Sequence, residues 1–376
     1  MNWKIEGLKK LDGALGGISC NVSKFIVSPR KKTSEGLKKI LVIRPGGIGD
    51  AVLLYPALRE LMNHFPDASI DVLAEKRNAG IFSVCPYVGG IFQYDKRPHE
   101  TLFKVIKEGY DVVIDTEQWH RLTAALSYLT RAPLRVGFET NERAGLFSHP
   151  VPYGQNDYEV YSFLNLVAAV TGENYDFDKE SPFIPLDRVS YGGISTALSD
   201  FRKGKKAIVG LFAGATVAER RWGVKRFVDL SRGFWDEDIG TVIVGGKADK
   251  SDSEMFAGGG TNGYLLDYIG GTTLGETAAV ISELDLFISG DSGLMHIAYG
   301  VGTPTVSLFG AGIEKKWAPK GGNHIAINKN PPCSPCTKFG YTPTCPYEVK
   351  CLADITVGEV KESAMKLLAR SLGTRT

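Results

Sequence analysis

Four short stretches of the chain combine residue types that do chemistry. The first is Arg44-Pro45-Gly46-Gly47-Ile48-Gly49-Asp50. Its glycines leave the backbone bare, so a ligand can come close. A carboxylate such as Asp50 at a helix start is favoured as the anion. It is either a plain first-turn acid or a base that takes a proton from a substrate hydroxyl, and spacing alone leaves both open. Gly47 and Gly49 fit the first two places of a dinucleotide fingerprint, but Val52 stands where the third glycine belongs, so an NAD site is a weak match. No Gly-Lys-Ser/Thr follows, which excludes a P-loop.

The second stretch is Gly214-Ala215-Thr216, followed by Glu219-Arg220-Arg221-Trp222 and Lys225-Arg226. Backbone amides, a hydroxyl and cations before a helix make an anion site, most naturally for phosphate. The alternative is a solvated basic turn. The third is Ser289-Gly290-Asp291-Ser292-Gly293-Leu294-Met295-His296. Gly-Asp-Ser-Gly also surrounds the nucleophile of trypsin-like proteases, but those are all-β barrels and the flanking pattern here is α/β. Ser292 is placed to cap a helix whose first amides could meet a diphosphate. His296, one turn later, faces either that ligand or the core. The fourth is Cys333-x2-Cys336 with Cys345 and Cys351. The first pair has the spacing of a thiolate knuckle and the second is looser. A structural Zn or Fe ion is preferred over free thiols, and disulfides come last in a reducing compartment.

The elements that must carry these stretches follow from the apolar pattern. Ile40-Leu41-Val42-Ile43 is a continuous run, as in a strand buried on both faces. Further runs at 70–73, 91–92 and 111–115 alternate with helical spacing at 53–61, near 77–83, near 100–108 and at 159–170. A second series has strands at 207–211, 241–244, 286–288 and 305–308, with helices near 224–235, 274–284 and 292–300. Strands alternating with helices predict α/β units with parallel sheets. Thr356 and Glu359 form a capping box opening a last helix to 372. The expected organisation is a basic leader 1–38, a Rossmann-like domain 39–185, a linker 186–206, a second Rossmann-like domain 207–355 holding the cysteine cluster 333–351, and a terminal helix 356–376. Two such halves facing each other would leave a cleft at the carboxyl ends of both sheets.

Composition narrows the function. The 44 basic and 42 acidic residues leave a formal net charge of +2, which argues against a nucleic-acid binder. Glycine, 44 of 376 residues, is well above the usual ~7% and suits many tight turns. Residues 1–39 hold nine basic and three acidic side chains. This leader is either a surface helix or a surface that meets anionic lipid headgroups. It has acidic Glu6 and Asp12 and no apolar core before a cleavage site, so it is not a signal peptide. The charge-free stretch 297–313 is too short and broken to span a membrane. The expectation is a cytoplasmic protein.

Together and in this order, these motifs resemble the ADP-heptose:lipopolysaccharide heptosyltransferases, glycosyltransferase family 9. The likeness covers roughly residues 39–372. It rests on the 40–50 segment with Pro56-Ala57-Leu58, on Gly214-Ala215-Thr216 with Arg220-Arg221-Trp222, and on 291–296 with Gly302-Thr303-Pro304. It implies a GT-B fold, two Rossmann-like domains with parallel sheets facing a central cleft, with the terminal helix packed back on the first domain. It implies inverting transfer of heptose from ADP-heptose to a lipopolysaccharide inner-core acceptor, without a catalytic metal or other cofactor. Asp50 matches the general base, with Arg44, Gly47 and Gly49 on the acceptor-side loop. Gly214, Thr216, Arg220, Lys225, Asp291, Ser292, Gly293 and His296 fall on the donor side, although Lys often replaces Arg220 and Thr often replaces Ser292. Asp249, after Gly245-Gly246-Lys247, is a looser match to a nucleoside-contacting acid. The implied partners are ADP-heptose or another nucleotide sugar and a lipid-linked saccharide, reached by peripheral contact with the inner face of the cytoplasmic membrane. Two other readings stay open. One is a sugar-nucleotide transferase with a protein or other polysaccharide acceptor. The other is a non-catalytic nucleotide-binding protein.

Overall fold

The structure is a computed structural model. It describes residues 36–187, 189–258, 260–261, 263–338 and 340–373, together with residues 12, 13, 16, 17, 20, 28 and 30. The chain divides into two compact units, Met1–Phe177 and Asp178–Thr376.

The first unit has strands β1 (Lys39–Arg44), β2 (Ser69–Ala74), β3 (Gly90–Gln93), β4 (Val112–Asp115), β5 (Leu134–Phe138) and β6 (His149–Val151). All pair in parallel in the order β3-β2-β1-β4-β5-β6. Ile40 stands beside Ile70 on one side and Val112 on the other. Helices α1 (Ile48–Leu53), α2 (Tyr55–His64), α3 (Lys76–Phe82), α4 (Pro98–Lys107), α5 (Arg121–Leu129) and α6 (Glu159–Thr171) connect or flank these strands. The run 40–43 is buried throughout because helices cover both faces of a parallel sheet. Leu41 and Ile43 join Leu73, Val105, Tyr110 and Val113 in one cluster.

The second unit repeats the plan with β7 (Ala207–Phe212), β8 (Ile239–Ile243), β9 (Leu265–Asp267), β10 (Leu286–Gly290), β11 (Thr305–Phe309) and β12 (His324–Asn328). Its order, β12-β11-β10-β7-β8-β9, is the same path read from the other edge. Its helices are α7 (Gly192–Arg202), α8 (Val224–Trp235), α9 (Lys250–Ala257), α10 (Leu274–Ser282), α11 (Gly293–Gly300), α12 (Glu314–Trp317), α13 (Lys350–Ala353) and α14 (Val357–Gly373). In both units the strand order reverses beside the first strand, between β1 and β4 and between β7 and β10. The crevice outside the carboxyl ends at such a point is where doubly wound sheets bind ligands.

Several elements differ from the sequence reading. Segment 186–206, read as a linker, carries α7, whose Leu198 is buried, so it is part of the second unit. The last helix was expected to pack on the first domain. Within the second unit, Val360, Ala364, Leu367 and Leu368 of α14 are buried in one core with Phe227, Leu230 and Phe234 of α8. Their spacing makes one apolar stripe, and the α8 face and sheet supply its cover. The Thr356–Glu359 capping box forms in both directions, at 2.9 and 3.2 Å. Strand β5 escapes the apolar pattern because Arg135 and Gly137 interrupt it. Arg135 is buried, and its Nε donates to the Leu146 carbonyl at 3.0 Å.

Most of the basic leader lies outside the described residues. Those described between 12 and 20 are helical and sit on the first unit. Asp12 Oδ1 accepts from the backbone N–H groups of Arg121 and Leu122 at 2.7 Å each, the first two residues of α5. Cys20 is buried against Ala124, Ala125, Leu146 and Phe147. No helix among the described residues is long and apolar enough to cross a membrane.

Candidate active site

The switch point of the first unit gathers Asp50, in the first turn of the helix after β1, with Glu117 and Gln118 from the loop after β4. Gly47 precedes α1, and Gly49 and Asp50 lie in its first turn. A Cβ at Gly47 would come 2.9 Å from Asp50 Oδ2, so a bare residue lets the carboxylate fold back over the turn. The Asp50 side chain is 23% exposed. Its Oδ1 lies 3.7 Å from Arg44 Nη1 and 3.4 Å from Gln118 Nε2.

Arg44 ends β1 and points inward, with only 2% of its side chain exposed. Its Nε donates to the Pro45 carbonyl at 2.7 Å and its Nη1 to the Thr116 carbonyl at 2.9 Å. Its Nη2 lies 3.4 Å from Glu117 Oε2. Burial opposes the guanidinium charge, but Asp50, Glu117, Glu159 and Asp115 outweigh it and raise its pKa. Burial likewise opposes the charge on Glu117, yet Arg44, His120 and Arg143 hold its pKa below the ordinary value. Behind it, Asp115 and Arg143 form a fully buried pair at 2.6 Å. Burial raises the Asp115 pKa in spite of that partner. Gln118 Nε2 also donates to Glu159 Oε1 at 2.6 Å, and the Tyr153 hydroxyl donates to Glu159 Oε2 at 3.2 Å. Burial first, then the charges of Glu159 and Asp50, push the Tyr153 pKa upward, so it is a neutral donor.

The switch point of the second unit joins the loop after β7 to the loop after β10. Arg220 Nη1 meets Asp291 Oδ2 at 3.0 Å, with 22% and 7% of the side chains exposed. Arg220 Nη2 is 3.4 Å from the hydroxyl of Thr337, which in turn lies 2.8 Å from that of Thr342. Arg220 Nε is buried and makes no hydrogen bond among the described residues. Arg221 instead braces the turn, donating to the Ala215 carbonyl through Nε and Nη2 at 3.0 and 2.9 Å. A Cβ at Gly214 would lie 2.6 Å from Asp249 Oδ1, so these two sequence-selected donor residues come together. Asp249 Oδ2 accepts from Gly246 N at 2.9 Å. Ser292 caps α11, its hydroxyl accepting from Met295 N at 3.3 Å, and Gly293 opens that helix. His296 is buried with its ring edge toward Trp317, at 6.3 Å between centroids. Thr216 and Lys225 are exposed.

Cys333, Cys336 and Cys345 sit on a loop that reaches the segment after β11, and Cys351 lies in α13. Cys336 N and Thr337 N both donate to the Ala311 carbonyl, at 3.1 and 2.9 Å. Cys351 is buried, Cys336 and Cys345 are half-buried and Cys333 is exposed. Burial, then the neighbouring Cys345, Cys336 and Cys333, raise the Cys351 pKa. Among the described residues no group of three or more His, Cys, Asp or Glu side chains is gathered as a metal site. The four thiols share a neighbourhood.

Sequence reasoning did not select Glu117, Gln118, Tyr153, Glu159 or Thr337. The available signal was a polar cluster, Glu117-Gln118, straight after the carboxyl end of a buried strand, where doubly wound sheets place ligand contacts. Nothing local marked Glu159 or Tyr153, which arrive through tertiary packing.

Two units of 3-2-1-4-5-6 topology define a GT-B glycosyltransferase architecture. Residues 100–344 match the model of glycosyltransferase family 9 (heptosyltransferase), and the chain belongs to that family. It is 25% identical over 295 residues to lipopolysaccharide heptosyltransferase 3 of Escherichia coli, covering 74% of this chain and 85% of that protein. The structure of E. coli ADP-heptose lps heptosyltransferase II is similar with a TM-score of 0.70 at 23% identity, covering 88% of this chain and 99% of that one. The bacterial iron-containing dodecameric glycosyltransferase TibC of enterotoxigenic E. coli H10407 shares the fold more distantly, with a TM-score of 0.52 at 12% identity, covering 92% of this chain and 78% of that one.

Proposed function

We propose that this protein is an inverting heptosyltransferase that moves heptose from ADP-heptose to a lipopolysaccharide inner-core acceptor. The observation that carries the reading is Asp50, a partly exposed carboxylate held through one oxygen at the first switch point. Asp50 takes the proton of the acceptor hydroxyl as the oxygen attacks the anomeric carbon. The ADP leaving group departs with its bonding electrons. Arg220, with an unused Nε, the Thr216 hydroxyl and the amides at 292–293 stabilise the developing charge. Asp249 contacts the nucleoside, a role supported by its closeness to Gly214 and by the family resemblance. The family resemblance and the relatives named for heptosyl transfer support the donor and acceptor.

A positioned base contributes about 10²–10⁴-fold. Asp50→Ala is therefore expected to lose turnover by that factor with ADP-heptose and truncated lipopolysaccharide, while ADP still raises the melting temperature. Unchanged turnover would show that another group is the base.

Two finer parts of the reading concern the periphery. The enzyme works in the cytoplasm at the inner membrane face, with the basic leader meeting anionic lipid. Salt-dependent liposome binding that survives deletion of 1–38 would refute that contact. The four cysteines hold a structural Zn or Fe ion, a role suggested by the Cys333-x2-Cys336 spacing and the shared neighbourhood of the thiols. Elemental analysis of the purified protein tests it, and absence of stoichiometric metal rules it out.

A further inference from the structure

The two carboxylate oxygens of Asp50 stand in different surroundings. Oδ1 faces Gln118 Nε2 at 3.4 Å and Arg44 Nη1 at 3.7 Å. Oδ2 lies over Gly47. Gln118 does not act alone, because the same nitrogen donates to Glu159 Oε1 at 2.6 Å. An amide nitrogen carries two protons and can serve both carboxylates at once. Glu159 is wholly buried as the first residue of the 13-residue helix α6. The helix start and the donors Gln118 and Tyr153 favour its anion.

We propose that Gln118 and Glu159 are positioning residues for the base. Gln118 holds Asp50 Oδ1, Glu159 anchors Gln118, and Oδ2 is the oxygen that receives the acceptor's proton. The proposal rests on the reading of Asp50 as base. In the step, the acceptor O–H bond breaks and its proton goes to Oδ2. The oxygen lone pair forms the bond to the anomeric carbon. The bond from that carbon to the diphosphate breaks, and the leaving group keeps the electron pair. Glu159 accepts the hydrogen bond that fixes the Gln118 amide, and a carboxylate holds that amide more firmly than a neutral acceptor would.

Other charges also face this corner. Arg44 from β1 is a cation beside Asp50, and Glu117 from the loop after β4 is a carboxylate paired with that arginine. Tyr153 from the loop after β6 is neutral. Arg77 of α3 approaches the turn at Gly46 but pairs with Glu75 at 2.5 Å. Arg59 and Glu60 of α2 pair with each other at 3.0 Å.

Glu159→Gln keeps a carbonyl for Gln118 and removes only the charge. With ADP-heptose and truncated lipopolysaccharide, it is expected to lower kcat about 3- to 10-fold at unchanged donor KM, because a neutral partner anchors Gln118 more weakly. Gln118→Ala removes the clamp and should lower kcat about 10- to 100-fold, with the donor KM unchanged. A wild-type kcat for both Gln118→Ala and Glu159→Gln, alongside an inactive Asp50→Ala, would overturn the proposal. An active Asp50→Ala would instead overturn the base reading beneath it. Should Glu159→Gln fail to fold by circular dichroism, Gln118→Ala decides: a loss of kcat at unchanged donor KM supports the clamp, and full kcat overturns it.

Discussion

The two switch points share a topology and differ in what fills them. The first holds Arg44, Asp50, Glu117, Gln118 and Glu159 in a network mostly closed to solvent. The second holds one open ion pair, Arg220 with Asp291, beside the capped start of α11. Each has an arginine near the reversal of strand order. Arg44 is 2% exposed with its donors directed into the protein, whereas Arg220 is 22% exposed with Nε unbonded. The same side chain is thus a structural counter-ion in one unit and an available anion ligand in the other. A carboxylate that takes a proton gains from a fixed orientation and a dry flank. A diphosphate site gains from donors not yet saturated.

The sharpest way to break this comparison is to truncate both arginines. Removing one partner of a buried ion pair leaves the other charge stranded, at a cost of about 3–5 kcal/mol. Arg44→Ala leaves Glu117 without its nearest cation, so it should unfold at markedly lower denaturant concentration, and activity should be lost with the fold. Arg220→Ala should fold normally. Loss of a charged hydrogen bond to ligand, about 1.5–3 kcal/mol, would weaken ADP binding roughly 10- to 150-fold by calorimetry. If Arg44→Ala were as stable as the parent and Arg220→Ala bound ADP normally, the division of roles between the units would fail.

The comparison also explains what was legible in the sequence. Both first strands, 40–43 and 207–211, are uninterrupted apolar runs, and both glycine turns follow at once, so the centre of each unit could be read directly. The edges could not. Strand β5 is broken by Arg135 and Gly137, and β6 is only three residues long. In the second unit Arg220, Asp291 and Ser292 lie within a few positions of Gly214 or Gly293, whereas Asp249 and Thr337 come from farther along the chain. The first was only half legible. Asp50 and Arg44 are local to their turn, but Gln118 and Glu159 come from distant segments that meet only when β4 and α6 take their places. A lone Glu in an apolar helical stretch reads as an ordinary surface acid until its burial is known.

The smallest effect is expected at the leader, and it sharpens the comparison by asking what steadies the first site. Asp12 satisfies two backbone donors at the start of α5, directly after the loop that carries Glu117 and Gln118. A carboxylate in that position acts as a helix cap, although it comes from more than a hundred residues away in sequence. Losing such a cap costs about 0.5–2 kcal/mol. The burial of Asp12 opposes its charge, but hydrogen bonds from His120, Leu122 and Arg121 outweigh it and lower its pKa. The cap is therefore fully effective above the ordinary Asp value and is lost as pH falls through the lower folded-state value. Asp12→Ala should reduce the melting temperature by a few degrees at neutral pH. The difference from the parent should shrink in acid, and ADP binding should not change. An equal melting temperature for Asp12→Ala and parent at neutral pH would mean that α5 and its loop are held by the first unit alone.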